Sequence, residues 1–393
     1  MSKLEKLIQQ YCPDGVEYYH LNDVAIIKRG ERVTKAQLIP NGQYPVISGG
    51  VKPLGYLNRY NRKANTITIA QYGTAGYVDW QQNQFWANDV CYSVFPSKII
   101  NNRFLYFVLL HNQQLLYSLK TNAIPACLPL DRLAGVEIPV PPLPVQEEIV
   151  RILDTFTELQ AELQAELQKR KQQYNFYRDN LLNFKDINRG GQEIKWMKLK
   201  DVATQWYRGS GIKREEVSED GMPCIRYGEI HTSYNIWFKD CISHIDETKQ
   251  AAKKYAEYGD ILFAITSEDI PLVGNSVAYL GKEKIMVGGD IVVMKHNQDP
   301  RYMAYALSTS DAIKQKGKGK VKSKVVHTNV PSLQEIVIPI PPMEEQQRIA
   351  DILDRFDTLT NDLTSGLPAE MEKRRQQYEF YRDKLLTFKR KEA

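Results

Sequence analysis

Residues 138–156 read IPVPPLPVQEEIVRILDTF and residues 338–356 read IPIPPMEEQQRIADILDRF, identical at ten of nineteen positions. Farther along, KRKQQYNFYRDNLLNF at 169–184 returns as KRRQQYEFYRDKLLTF at 373–388, identical at twelve of sixteen. The chain therefore carries a duplication, each copy following a segment that differs from its counterpart. One frame built twice around two dissimilar inserts is the arrangement that most restricts the fold.

Each copy opens on a proline cluster, Pro139, Pro141 and Pro142 or Pro339, Pro341 and Pro342. Proline lacks an amide hydrogen and holds the preceding residue extended, so a helix is expected to start only after the cluster. Apolar residues then fall at Ile149, Ile152, Phe156, Leu159, Leu163, Leu167, Tyr174, Tyr177, Leu181 and Phe184, spaced mostly by threes and fours. That spacing predicts a long helix with a coiled-coil seam, roughly 36 residues and on the order of 54 Å. The second copy keeps the stripe at Ile349, Ile352, Phe356, Leu359 and Leu363, and resumes it at Met371, Tyr378, Tyr381, Leu385 and Phe388. Four extra residues and Ser365-Gly366-Leu367-Pro368 intervene, so a break or kink is expected there. The two stripes are each other's most economical cover, which predicts an antiparallel, pseudo-twofold pair.

Residues 66–70, 90–95, 261–265 and 291–294 are strand-like, whereas 102–119 and 301–315 are helical in pattern. The fold class expected is α+β: two mixed domains at 1–140 and 189–340, separated by the repeated helices at 141–188 and 341–393. The two domains are distant versions of each other. Leu21-Asn22-Asp23-Val24-Ala25 matches Leu199-Lys200-Asp201-Val202-Ala203, Tyr44-Pro45-Val46-Ile47 matches Met222-Pro223-Cys224-Ile225, and Asp89-Val90 corresponds to Asp290-Ile291. Matching pieces read as framework and the divergent stretches between them as variable loops.

The net charge of +5 is unevenly spread. Residues 1–140 hold 14 Lys or Arg against 9 Asp or Glu, residues 190–340 hold 21 against 19, and the remainder is net acidic. Cationic surplus thus sits in the variable domains. Five cysteines without a C-x-x-C pair point to reduced thiols and a cytosolic protein, with no zinc site. No apolar run is long enough for a membrane span, and the first fifteen residues lack a signal-peptide core.

Catalytic patterns are missing. There is no phosphate-binding loop, no H-E-x-x-H, no G-x-S-x-G and no dinucleotide glycine fingerprint, and the six histidines lack ligand spacing. Glu247-Thr248-Lys249 offers only the E-x-K spacing that a nuclease could use. Cationic features are plentiful instead. KQKGKGKVKSK at 314–324 places Lys316, Lys318, Lys320, Lys322 and Lys324 at every second residue, one face of an extended segment and a row for successive phosphates. Basic and aromatic residues interleave at Lys28, Arg29 and Arg32, at Arg59, Arg62 and Lys63 within YLNRYNRK, and at Tyr207-Arg208-Gly209. Glycine-rich stretches around Gly50, Tyr72 and Thr74 are candidate groove-facing loops, and Lys213, Arg226, Thr266 and Ser267 complete the DNA-contacting candidates. Guanine edges and phosphates are both open to these arginines.

Taken with the opening Cys12-Pro13-Asp14-Gly15-Val16, the paired Ile-Pro-Val/Ile-Pro-Pro segments, Gln146 and Gln346, and the two Gln-Gln-Tyr tails, the chain resembles the specificity subunit of a type I restriction-modification system over nearly its whole length. The resemblance implies two target-recognition domains, each reading half of a bipartite asymmetric site in double-stranded DNA, held apart by the antiparallel helices. It implies a subunit without catalytic activity. Two methyltransferase subunits would bring S-adenosylmethionine, and motor-nuclease restriction subunits would bring ATP and Mg2+, with nothing bound by this chain and no membrane. It further implies that Leu159-Gln160-Ala161-Glu162-Leu163-Gln164-Ala165-Glu166-Leu167 is a four-residue spacer repeat, each unit adding about 6 Å of helix. Two other readings stay open: a coiled-coil adaptor that reads no sequence, and a stand-alone nuclease.

Overall fold

The computed structural model describes residues 2–392 apart from 185–193, 247, 249–252, 268–271, 317–320, 323–324 and 362–365. The chain divides into two units, one made of residues 1–162 together with 372–393, the other of 163–371. The first is thus discontinuous in sequence.

In the first unit, strands Ala25–Arg29, Cys91–Pro96, Thr66–Ala70 and Val78–Gln81 form an antiparallel sheet in that order. Thr66–Ala70, a central strand paired on both edges, is buried along its whole length. A smaller sheet orders Tyr56–Leu57, Tyr44–Ile47 and Trp86–Ala87, the last pair parallel. Helices Asn102–His111 and Gln113–Ser118 cover the first sheet, and Ile67, Ile69, Val94, Phe104 and Leu105 share one core with Ile149, Leu153 and Leu386.

The second unit repeats the plan with longer sheets. Ala203–Arg208, Ile291–His296, Ile261–Ala264, Ser276–Tyr279 and Trp237–Phe238 form one, backed by helix Pro300–Leu307 and a core that includes Tyr174, Leu182, Ile349 and Leu353. A second sheet contains Met222–Ile225 and Ile285–Val287, again a parallel pair. The matches made on sequence are structural equivalents: Leu21–Val24 and Leu199–Val202 are both single-turn helices leading into the first strand of a main sheet.

One helix, Leu143–Leu182, begins in the first unit and ends in the second. At 40 residues it is somewhat longer than the spacing predicted and starts directly after the proline cluster, with Pro144 in the first turn, where a missing amide hydrogen costs nothing. The second copy is two helices, Met343–Asn361 and Leu367–Leu386, with Gly366 in a bend just before the second; the rest of the expected break, at 362–365, lies outside the described residues. Within each unit the repeated segments run in opposite directions. Phe156 packs on Tyr378 and Tyr381 while Ile149 and Leu153 share a core with Leu385 and Leu386. Tyr177 stacks on Phe356 while Leu182 joins Ile349 and Leu353.

The duplicated glutamine after each proline cluster explains its own recurrence. Gln146 is fully buried, accepts from the Asn101 amide at 2.7 Å and donates to the carbonyls of Ile99 and Pro141. Gln346 accepts from the Asp299 amide at 3.0 Å and donates to Gln298 and to the Pro341 carbonyl. Asn101 and Asp299 are the residues that cap helices Asn102–His111 and Pro300–Leu307. Each glutamine therefore ties the long helix to the start of the domain helix, satisfying buried backbone groups that would otherwise be costly.

The stripe is only partly covered. Ile149, Ile349 and Tyr174 are buried, and Ile152, Leu163, Leu181, Ile352 and Leu385 are half-buried. Leu159 and Leu359, expected in the seam, are instead 42% and 64% exposed. Along the first helix the cover is interrupted and not ended at Leu159, since Leu167 and Tyr174 farther on are buried again.

Candidate nucleic-acid interface

Both units bend their first sheet strand away at an arginine-glycine corner. Gly30 donates to the Cys91 carbonyl at 3.0 Å, and Gly209 to the Ile291 carbonyl at 2.9 Å. A Cβ on Gly30 would lie 2.1 Å from the Ala87 oxygen, and one on Gly209 2.2 Å from the Gly288 oxygen, so only glycine fits either corner. The preceding arginines, Arg29 and Arg208, are exposed. The same frame thus presents a cation at the same place in each unit.

Around Arg29 the first unit displays Lys28, Arg32, Arg59 and Lys63, all exposed. Lys28 lies 5.9 Å above the Phe95 ring and Arg29 5.8 Å from Tyr92, while Arg32 is 4.0 Å from Asp89. The Arg59 guanidinium sits 4.6 Å above Trp86, whose indole donates to the Glu31 carbonyl. Stacking on an anchored indole fixes the arginine while its donors stay in water. Exposed Gly50 belongs to a loop held by Thr74, whose amide and hydroxyl both donate to the Gly49 carbonyl at 2.8 and 2.7 Å, with half-buried Tyr72 beside it. Arg62 departs from its neighbours. Nε donates to Ser93, one terminal nitrogen to the Asn61 carbonyl and the other to the Arg29 carbonyl at 2.7 Å, so this side chain is an internal strut.

In the second unit Arg208, Arg214 and Arg226 line a concavity of about 1030 Å3 whose floor includes the backbone of Gly209, Gly211 and Gly288. Arg208 donates to the Gly289 carbonyl and to Asp290 at 2.7 Å. Arg226 is held by Glu229, a buried carboxylate that also accepts from Ser243. Lys213 is exposed just before Arg214. Sequence reasoning found Arg208, Lys213 and Arg226 but missed Arg214 and Glu229. The signal for the latter was available, since Arg226 and Glu229 have the spacing of a capping pair.

Three further candidates are corrected. Thr266 and Ser267 are buried in a strand paired with Val325–His327, and the Thr266 hydroxyl bonds His327 at 3.1 Å, so neither faces solvent. Lys316 is in helix Ser310–Lys316, not an extended row, and is 5% exposed; Nζ donates to Ser276 at 3.0 Å and lies over Phe263. Burial pushes this amine down to about 7. Lys318, Lys320 and Lys324, the Lys322 side chain, and Glu247 and Lys249 of the E-x-K pattern lie outside the described residues. Burial holds the Cys91, Cys224 and Cys241 thiols up at about 12, far from the thiolate a nucleophile needs. Among the described residues no helix is long and apolar enough to cross a membrane.

On the helices, each unit carries the same aromatic ladder. Phe156, Tyr381 and Phe380 follow at centroid separations of 5.5 and 5.4 Å, and Phe356, Tyr177 and Phe176 at 5.9 and 5.6 Å. The outer rings, Phe380 and Phe176, are 62% and 63% exposed. Exposed aromatics of this size at equivalent places mark a surface fit for a protein partner.

Comparison with known proteins gives one consistent result. The model of the type I restriction modification DNA specificity domain matches residues 13–170 and again 192–373. The chain is 31% identical over 406 residues to a putative type I restriction enzyme specificity subunit of Haemophilus influenzae, covering 98% of each. It is 30% identical over 421 residues to the EcoR124I/EcoR124II type I restriction enzyme specificity subunit of Escherichia coli, covering all of this chain and 98% of that one. Its fold is similar to that of the type I restriction-modification S subunit of M. genitalium, with a TM-score of 0.59 at 16% identity over 95% of this chain and 96% of the other.

Proposed function

The chain belongs to the type I restriction-modification DNA specificity family, and from that premise we propose that it chooses the DNA sequence on which such a system acts and performs no reaction itself. The observation that carries this is the repeated corner: Arg29-Gly30 and Arg208-Gly209 occupy the same position in two units whose surrounding loops differ. Equivalent frames with unlike loops fit a bipartite, asymmetric site, each unit reading one half.

In this reading exposed lysines and arginines hold phosphates and give a steep salt dependence, while the loops meet base edges in the major groove. The aromatic ladders dock two methyltransferase subunits, one on each unit, and restriction subunits join that assembly. S-adenosylmethionine, ATP and Mg2+ belong to those partners. The protein then works in the cytoplasm of a prokaryote, on the DNA.

The test is the genomic methylation motif in cells supplied with the methyltransferase, with and without this chain. A two-part motif that appears only with the chain is expected, and a chain in which residues 1–140 are replaced by those of a relative should change one half alone. A motif indifferent to the chain would favour the adaptor reading, and cleavage of DNA by the purified chain with Mg2+ would favour the nuclease.

A further inference from the structure

Resting on the reading that the second unit recognises one half-site, we propose that Arg226 reads a guanine there and that Glu229 is its positioning residue. Arg226 stands between strand Met222–Ile225 and helix Tyr227–Thr232 and lines the second unit's concavity. Its Nε and one terminal nitrogen, Nη2, donate to the same Glu229 oxygen, at 3.2 and 3.0 Å. The other Glu229 oxygen accepts from the Arg226 amide at 3.0 Å, and the Ser243 hydroxyl adds a bond of 2.7 Å to the first. A carboxylate buried to 5% exposure and held by three donor groups cannot swing away.

This use of the inner edge decides what is left. No described residue accepts from Nη1, so the Nη1/Nη2 edge is available as two parallel donors. Guanine offers two adjacent acceptors, O6 and N7, on its major-groove edge. Adenine puts a donor beside its acceptor, and the pyrimidines offer one polar group each, so the fork selects guanine. A phosphate would be the wrong target: a carboxylate about 3 Å from the guanidinium repels it and cancels much of the charge that would attract it. Arg208 is also tied to a carboxylate, but its side chain is 58% exposed and that of Asp290 42%, so this pair lacks the fixed geometry.

The test uses the full chain with its methyltransferase partner on synthetic duplexes carrying the mapped site. Each guanine of the half-site read by the second unit is replaced in turn by 7-deazaguanine, which removes N7 without disturbing base pairing. With the unaltered chain, one replacement is expected to lower methylation roughly 10- to 100-fold, and the same replacement should have no effect with Arg226→Ala, which has no donor for a base edge. Arg226→Ala and Glu229→Gln should relax the methylation motif at that one position and leave the other half-site unchanged. Replacements without effect in the unaltered chain, or a motif unchanged by Arg226→Ala, would overturn the assignment while leaving the bipartite reading intact. A motif that does not depend on the chain at all would remove the premise instead.

Discussion

Phe156 stacks on Tyr381 with ring centroids 5.5 Å apart and planes 24° from parallel, and Phe356 repeats this with Tyr177 at 5.9 Å and 22°. The partners come from the two ends of the duplicated text, so each stack joins a residue early in one copy to a residue late in the other. Such a pair contributes about 1 kcal/mol beyond its buried area. A double-mutant cycle with Phe156→Leu and Tyr381→Leu, followed by urea unfolding, is expected to show coupling of about that size. Strict additivity would mean that the rings merely sit side by side.

Arg62 and Lys63 are neighbours with opposite tasks. Arg62→Ala removes donors to Ser93, Asn61 and Arg29 and is expected to cost about 2 kcal/mol of stability or more. Lys63→Ala should leave stability within about 0.5 kcal/mol and reduce the slope of log affinity against log salt by about 1. Thermal unfolding and salt-dependent DNA binding by the two variants check both halves.

Lys316 gives a pH dependence with a definite sign. Its amine falls to about 7 in the folded protein from an ordinary 10.5 in the unfolded chain. Between those values the unfolded chain holds more protons, so stability rises with pH across the window and is flat outside it as far as this group is concerned. Lys316→Met is expected to abolish that rise, measured as the difference in urea midpoint between pH 7 and pH 10, without changing the sequence recognised.

The four-residue repeat of residues 159–167, which we propose sets the spacing of the two half-sites, lies where helix Leu143–Leu182 passes from one unit to the other, at Glu162 and Leu163. Deleting residues 160–163 removes about 6 Å of helix and rotates the remaining C-terminal part of that helix by only about 40° beyond a full turn. The expected outcome is a methylation motif with both half-sites intact and a shorter unspecific gap. Altered bases in a half-site with the gap unchanged would contradict the proposed role.

What could be read in the sequence was what the chain says twice. The helical stripe and the matched framework segments recur because the same local requirements recur, whereas the part Gln146 and Gln346 play beside the caps Asn101 and Asp299 shows only in the fold. Lys316 was misplaced because a period of two in lysines says nothing about whether a helix reaches that far, nor that Ser276 and the Phe263 ring would receive its amine. Arg62 was misread for a related reason: two of its three acceptors, on Ser93 and Arg29, belong to residues brought close only by the fold. Leu159 and Leu359 fit the seam in spacing, but spacing cannot tell which positions of a stripe a neighbour reaches. Arg226 was legible as a cation, whereas its fixed orientation required Glu229 and Ser243 to be seen in place.

The first unit is closed by the far end of the chain. The Val16 amide donates to the Lys389 carbonyl and the Val16 carbonyl accepts from the Lys391 amide, Tyr18 donates to the Phe388 carbonyl at 3.0 Å, and Arg390 reaches Glu137 at 2.6 Å. During translation the opening domain must therefore wait, its core unsealed at Leu386, until some two hundred later residues have left the ribosome. A nonsense mutation just before residue 372 would wound the oldest part of the nascent protein, and a circular permutant that fuses the tail ahead of residue 2 should let that part mature first.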